Sequence, residues 1–409
     1  MISVAEAIGI ILRETKNLPA ESVRLAQSRG RVLAEDVLAD TDLPPFDRAR
    51  MDGYAVRAKD TANAPIELRV VGEAAAGAGW REREMQAGEA VRIMTGAPIP
   101  SGADAVQQVE VTSETADGSA VNIERAATVG QFISELGTEI RKGETVLRAG
   151  TEINAAMMAA LASFGYAKVK VAKRPRVAVL ATGTELVAVG ETPGADQIRD
   201  SNSYSLAAYA ELAGATVEQL PLAGDDTKTL QLAIEDAATR CDALVLSGGV
   251  SMGVYDFTKA ALRAAGAEIF FERVRLRPGK PTVFARLDNT LIFGLPGNPV
   301  SVSVTFNLFA RTALRRLQGI REAAALHEEH AVLVREVKGS LERASYLPAT
   351  LRTNAQGTLL AEPLRWGGSS DFVAFTQATA LIIVPENMSM IEAGAVASIV
   401  RLPDAGQSF

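Results

Sequence analysis

Arg176-Val-Ala-Val-Leu-Ala-Thr-Gly-Thr-Glu185 is the stretch that decides the fold. Its first six residues hold an unbroken apolar run, which reads as a strand buried on both faces, and Thr182-Gly-Thr-Glu185 is then the loop leaving that strand's carboxyl end. The same grammar continues downstream. Helices are expected at about 203–213, 227–239, 257–265 and 300–317, with strands at 217–220, 243–247, 268–271 and 290–293. Strands alternating with helices mean βαβ units, hence a doubly wound, mostly parallel α/β domain with both sheet faces covered.

The flanks read differently. Residues 4–15 form an amphipathic helix, with Ala7, Ile8, Ile11 and Leu12 at helical spacing. From about 20 to 150, short β-type runs such as Glu67-Leu-Arg-Val-Val71 and Ala90-Val-Arg-Ile-Met94 are punctuated by turn residues, giving one or two β-rich modules. From 320 to 409 short strands return, and a small C-terminal β domain is expected. No internal repeat or low-complexity tract breaks this order.

The 409 residues leave room for two to four domains, and at 47% hydrophobic and 22% charged they can bury real cores. A formal charge of −7 without any basic stripe argues against nucleic-acid binding. The single Cys241 excludes an internal disulfide framework and is expected to pack. His327 and His330, the two histidines, make a His/Cys zinc site untenable and are expected in a solvated boundary helix or loop. No stretch approaches the ~18 apolar residues of a spanning helix, and no signal peptide opens the chain, so a cytoplasmic protein without membrane attachment is expected.

In an open parallel sheet, ligands bind outside the carboxyl ends of the strands. The loops there are chemically unusual: Thr182-Gly-Thr-Glu185, Gly224-Asp-Asp-Thr227, Ser247-Gly-Gly-Val-Ser-Met-Gly253 with Asp256 close behind, and Gly294-Leu-Pro-Gly-Asn-Pro299. Gly248, Gly249 and Ser251 form a loop whose backbone can approach an anion closely, although it is neither a dinucleotide fingerprint nor a P-loop. Glu185, Asp225 and Asp256 lie on three of these loops. Gathered beside a phosphate they would hold Mg²⁺, while singly each reads equally as a helix cap, a role that suits Asp226 well. Arg273, Arg275, Arg277 and Lys280 form the densest basic cluster, and their setting in Arg277-Pro-Gly-Lys-Pro281 favours anion capture over a merely solvated surface.

Six motifs in order carry a resemblance to a known family. They are Pro45-Phe-Asp with Met51-Asp-Gly-Tyr-Ala55, Arg92-Ile-Met-Thr-Gly-Ala-Pro98, Thr182-Gly-Thr-Glu-Leu186, the Ser247–Gly253 loop, Arg277-Pro-Gly-Lys-Pro281, and Gly294-Leu-Pro-Gly-Asn-Pro-Val-Ser301. Together they resemble the MoeA/gephyrin E-domain family, the molybdopterin molybdenumtransferases, over essentially the whole chain. The resemblance implies four domains: 20–43 with 142–168, 44–141, 1–19 with 169–319, and 320–409. The third would be similar to MoaB and MogA, and the last a small β-barrel. It implies a homodimer in which Asp52 and Thr95 act across the subunit boundary. The implied reaction inserts molybdate into adenylylated molybdopterin with release of AMP, assisted by Mg²⁺ on Glu185, Asp225 and Asp256.

By position, Asp52, Asp225, Asp256 and Lys280 are then expected to be catalytic. Thr95, Gly248, Gly249, Ser251, Arg273, Arg277, Pro296, Pro299 and Ser369 are expected to contact the cofactor precursor or molybdate. A molybdopterin adenylyltransferase and molybdoenzyme-maturation proteins are the partners this reading implies. Three departures stand out: Glu139 in place of aspartate, Arg273 and Arg277 in place of lysines, and Pro348 where a second anion-contacting arginine is expected, leaving Arg343 or Arg365 to supply that charge. The competing readings are a gephyrin-like scaffold, a tungstate-selective relative, and another enzyme that handles a nucleotide pyrophosphate.

Overall fold

A computed structural model describes residues 1–224, 226–249, 257–321 and 328–403. The chain divides into two compact units, one of Met1–Glu35, Ala149–Asn154 and Lys168–Phe409, the other of Asp36–Arg148 and Ala155–Ala167.

The first unit is built on a six-stranded sheet: β1 Arg176–Ala181, β2 Thr216–Gln219, β3 Ala243–Ser247, β4 Glu268–Phe271, β5 Val283–Leu287 and β6 Thr290–Leu295, in the order β2-β1-β3-β6-β5-β4. β1 pairs in parallel with β2 and β3, and β3 with β6; only β5 runs against its neighbours. Successive side chains leave a strand on opposite faces, so the apolar run of β1 feeds two cores at once. Val177 and Val179 pack with α1 (Val4–Glu14), α2 (Asn202–Leu212) and the helical run 299–317. Ala178 and Leu180 pack with α3 (Thr227–Ala238) and α4 (Phe257–Ala264). This is the doubly wound arrangement read from the alternation of strands and helices.

Local chemistry sets the helix starts. Ser3 and Glu6 form a reciprocal capping box on α1, and Asp226 accepts the Thr229 N–H at 2.7 Å to cap α3. Two features depart from the expectation. β5 went unread; it forms a hairpin with β6 across Asp288, which sits at φ 51°, a conformation aspartate tolerates better than most residues. The run 299–317 is not one regular α-helix: Pro299–Thr305 and Arg311–Leu317 flank a π-helical turn at Phe306–Ala310. All five residues of that turn are buried, so the sequence has no polar stripe to reveal a change of pitch.

The C-terminal region adds β7 Glu328–Leu333, β8 Ala344–Thr353, β9 Leu359–Pro363, β10 Ala380–Val384 and β11 Val396–Arg401. They pair as β8-β9-β7-β11-β10, and β10 returns to β8, closing a five-stranded barrel. His330 is exposed as expected but lies in β7, not in a helix or loop, because pairing with Ser398 of β11 extends the chain there. His327 lies outside the described residues.

The second unit is β-rich. Its sheet orders Ala105–Gln108, Gly53–Val56, Glu89–Ile93, Ile66–Ala74, Ala120–Ile123 and Thr112–Glu114, with a core on each face. Ala155–Ser163 adds a helix the periodicity does not announce, because nearly all its side chains are small or apolar. Among the described residues no helix is long and apolar enough to cross a membrane.

Candidate active site

The strand order places the topological switch between β1 and β3, since the connections from β1 to β2 and from β2 to β3 leave in opposite directions. The loops after β1, β3 and β6 meet there. The Thr182 N–H donates to Ser247 O at 2.8 Å, and the Gly248 N–H to Leu295 O at 3.2 Å. Gly248 and Gly249 adopt φ of 96° and 63°; a Cβ on Gly248 would lie 2.3 Å from Thr182 O. Only glycine allows that approach. The loops enclose a cavity of about 950 Å³, lined by both glycines and by Glu185, Pro296 and Pro299.

Asn202 went unread in the sequence and holds this floor together. Its Nδ2 donates to Ser247 Oγ at 2.8 Å and to Gly297 O at 2.7 Å, tying the loops after β3 and β6 to the start of α2. The available signal was Asp200-Ser-Asn-Ser203, a helix-start pattern in which Asp200 accepts the Ser203 N–H at 3.0 Å. Among the described residues, Asn202 Oδ1 and the buried Thr182 Oγ1 have no hydrogen-bond partner.

A second cavity of about 510 Å³ adjoins the first, sharing Pro281, Pro296 and Asn298 with it. Its cations come together through strand register. Leu276–Arg277 pairs in parallel with β8, placing Leu276 beside Ala344 and Arg277 beside Ser345, so Arg343 in the turn before β8 arrives next to Arg277. Lys280 completes a trio, and Arg277 Nη1 donates to Gly339 O at 3.2 Å. Ser369 lines the same cavity, accepting from Asn298 Nδ2 at 2.8 Å. Among the described residues no aspartate or glutamate lines it, so the space suits an oxyanion.

The basic cluster thus divides. Arg277 and Lys280 face the cavity. Arg275 instead binds Glu386 at 3.0 Å and the Met1 carbonyl at 3.0 Å, while Arg273 is exposed and lines neither cavity. Pro348 is buried in β8 opposite Leu381, whereas Arg343 reaches the oxyanion cavity and Arg365 does not.

Of the expected metal ligands, Asp225 and Asp256 lie outside the described residues, as does Ser251. Glu185 folds back over its own loop, with its oxygens 2.6 and 2.7 Å from the point a Cβ on Gly183 would occupy. Among the described residues no three His, Cys, Asp or Glu side chains converge. The donor chemistry at Glu185 nevertheless suits Mg²⁺, a hard cation usually held by one or two carboxylates together with substrate phosphates.

In the second unit, Asp52 Oδ1 accepts both the backbone N–H and the hydroxyl of Thr95, each at 2.7 Å. The backbone bond, then the hydroxyl bond, holds the Asp52 carboxyl below its ordinary value. Antiparallel pairing of Gly53 with Ile93 brings the two motifs together, and a Cβ on Gly53 would fall 1.9 Å from Gln107 O. The longer arm of Glu139 meets Arg48 at 2.9 Å.

Comparison with known proteins finds three matched regions along the chain. Residues 2–165 match the MoeA N-terminal region (domain I and II), residues 178–316 a probable molybdopterin binding domain, and residues 330–402 the MoeA C-terminal region (domain IV). The chain is 36% identical to the molybdopterin molybdenumtransferase of Bacillus subtilis (strain 168), covering 100% of this chain and 95% of that one. It is 34% identical to the protein of that name from Haemophilus influenzae, over 93% of each. The crystal structure of the molybdopterin biosynthesis moeA protein from Pyrococcus horikoshii OT3 superimposes with a TM-score of 0.84 at 29% identity, covering 98% of this chain and 100% of that one.

Proposed function

The chain belongs to the MoeA family of molybdopterin molybdenumtransferases, and from that premise we propose that it inserts molybdenum into molybdopterin during molybdenum cofactor biosynthesis, consuming adenylylated molybdopterin and molybdate and releasing AMP. The observation that carries this reading is the pair of adjoining cavities. Among the described residues one is lined by three cations and no carboxylate, and the other is a larger space over a glycine loop at the switch point.

Each part of the chain has a task in that reaction. Arg277, Lys280, Arg343 and Ser369 would neutralise and orient the tetrahedral oxyanion next to the dithiolene sulfurs. The Gly248–Gly249 backbone would let a phosphate approach closely. Mg²⁺, when bound, would supply charge neutralisation at the phosphates and polarise the bond that breaks. Glu185 would hold it among the described residues, together with Asp225 and Asp256 by position in the family.

The same proposal includes a cytoplasmic homodimer in which Asp52 and Thr95 of one subunit serve the cavity of the other. Its support is the family assignment, together with an exposed carboxylate held anionic by two hydrogen bonds. Mixing inactive Asp52→Ala with inactive Lys280→Ala protein tests it, because only a shared site regains activity in the mixture.

The decisive experiment follows AMP release from adenylylated molybdopterin with Mg²⁺, with and without molybdate. Molybdate-dependent release with metal transferred to the pterin is expected. Release that ignores molybdate would instead mark a simple pyrophosphate hydrolase.

A further inference from the structure

The larger cavity has a polar floor and an apolar rim. Gly248, Gly249, Ser247 and Asn202 make the floor, while Ile198 and Phe372 stand at the rim, 58% and 49% exposed. A half-exposed aromatic ring at a cavity mouth offers a ligand an apolar face. Core packing does not require this one. Phe375, one turn further on, is the ring that turns inward, at 9% exposure, to join the hydrophobic core.

The segment carrying Phe372 is held firmly. Asp371 accepts from the Gly367 N–H at 2.7 Å and the Ala374 N–H at 3.2 Å, fixing the loop on both sides of the ring. Ser369 is tied to the loop after β6 by Asn298 Nδ2 at 2.8 Å and by the Val300 N–H at 3.1 Å. Within four residues the chain therefore serves both cavities, with Ser369 lining the oxyanion side and Ser370 and Phe372 the larger one.

We propose that Phe372 is a stacking platform for a fused nitrogen heterocycle of the substrate, and so a specificity-determining residue for what enters the larger cavity. The inference rests on the functional reading above, which supplies a substrate with two such rings, a pterin and an adenine. An aromatic face accepts either, because stacking depends on the π surface and little on ring-edge groups.

The test is calorimetric binding to the full chain, comparing wild type with Phe372→Ala, Phe372→Leu and Phe372→Tyr. The probes are AMP, 6-hydroxymethylpterin and molybdate. Phe372→Ala and Phe372→Leu should weaken the ring that binds by about tenfold, while Phe372→Tyr stays within about twofold. The probe that responds identifies the ring. Molybdate affinity should be the same in all four proteins, since its cations line the other cavity. Because Phe372 is half exposed, the variants should melt with wild type. Equal ring affinity in Phe372→Ala and wild type overturns the platform and leaves the functional reading standing. A parallel loss of molybdate affinity also overturns it, by showing that the ring merely holds the loop. Wild-type protein that binds no probe overturns the functional reading, and the platform with it.

Discussion

Thr95 delivers two hydrogen bonds to a single oxygen of Asp52, one from its backbone and one from its hydroxyl, each 2.7 Å long. A carboxylate held this way is biased toward its charged form, so Asp52 titrates below the ordinary aspartate value of 3.8. Thr95→Val removes the hydroxyl and keeps the backbone donor. The Asp52 pKa should then move up part of the way toward 3.8, which a carbon-detected NMR titration of the carboxyl would register. An unchanged value would assign the whole effect to the backbone N–H.

Gly248 should not accept a side chain. At φ 96°, with Thr182 O standing 2.3 Å from the Cβ position, alanine strains the backbone and pushes the loops after β1 and β3 apart. Gly248→Ala is expected to destabilise the unit by ~1–3 kcal/mol and to abolish AMP release. Urea unfolding and the release assay check both parts. Full activity in the variant would remove the loop from the site.

Arg277 and Arg275 lie two residues apart and should behave differently. Arg277→Ala opens the oxyanion cavity, and its molybdate affinity should fall by about tenfold or more, the loss typical of a hydrogen bond to a charged group. Arg275 is engaged with Glu386, so Arg275→Ala should leave molybdate affinity within about twofold and cost at most a little stability. Calorimetry on the two variants decides the matter. Equal losses would mean the cavity is loaded through general charge and not through a specific contact.

Acid should weaken the second unit through Glu89. This buried carboxylate binds Arg83 at 2.7 Å, accepts the Gln86 N–H at 2.9 Å and also meets Arg69, and the Arg83 bonds above all bring its pKa down to about 2 from 4.5. Because the folded value is the depressed one, the stabilisation is fully present above pH 4.5. It is lost as the pH falls from 4.5 toward 2. Thermal melts across that range should fall with pH in wild type and flatten in Glu89→Gln. Parallel curves would assign the acid sensitivity to other groups.

Much of the α/β domain was legible in advance. β1 and β3 match the expected 176–181 and 243–247, because strands buried on both faces are continuous apolar runs with sharp ends, and the partly buried edge strand β4 matches 268–271. The glycine loops and the Asp226 cap were equally readable, since their residue types answer local backbone demands. Elements whose own side chains show no contrast stayed hidden, such as the small-residue helix Ala155–Ser163 and the π turn at Phe306–Ala310.

The sequence by itself determined the strand and helix succession of the α/β domain, its glycine turns, and the kinds of group offered to a ligand. Only the tertiary structure decided which of those groups meet. Arg273, Arg275, Arg277 and Lys280 look alike along the chain, yet two face a cavity, one binds Glu386 and one stands in solvent. Arg343 joins them from 66 residues beyond Arg277 because Leu276 pairs with Ala344. Asn202 reaches Ser247 and Gly297 for a similar reason. The physical cause is that periodicity and turn chemistry act over a few residues, whereas convergence at a site is set by strand register and sheet order between segments far apart in the chain.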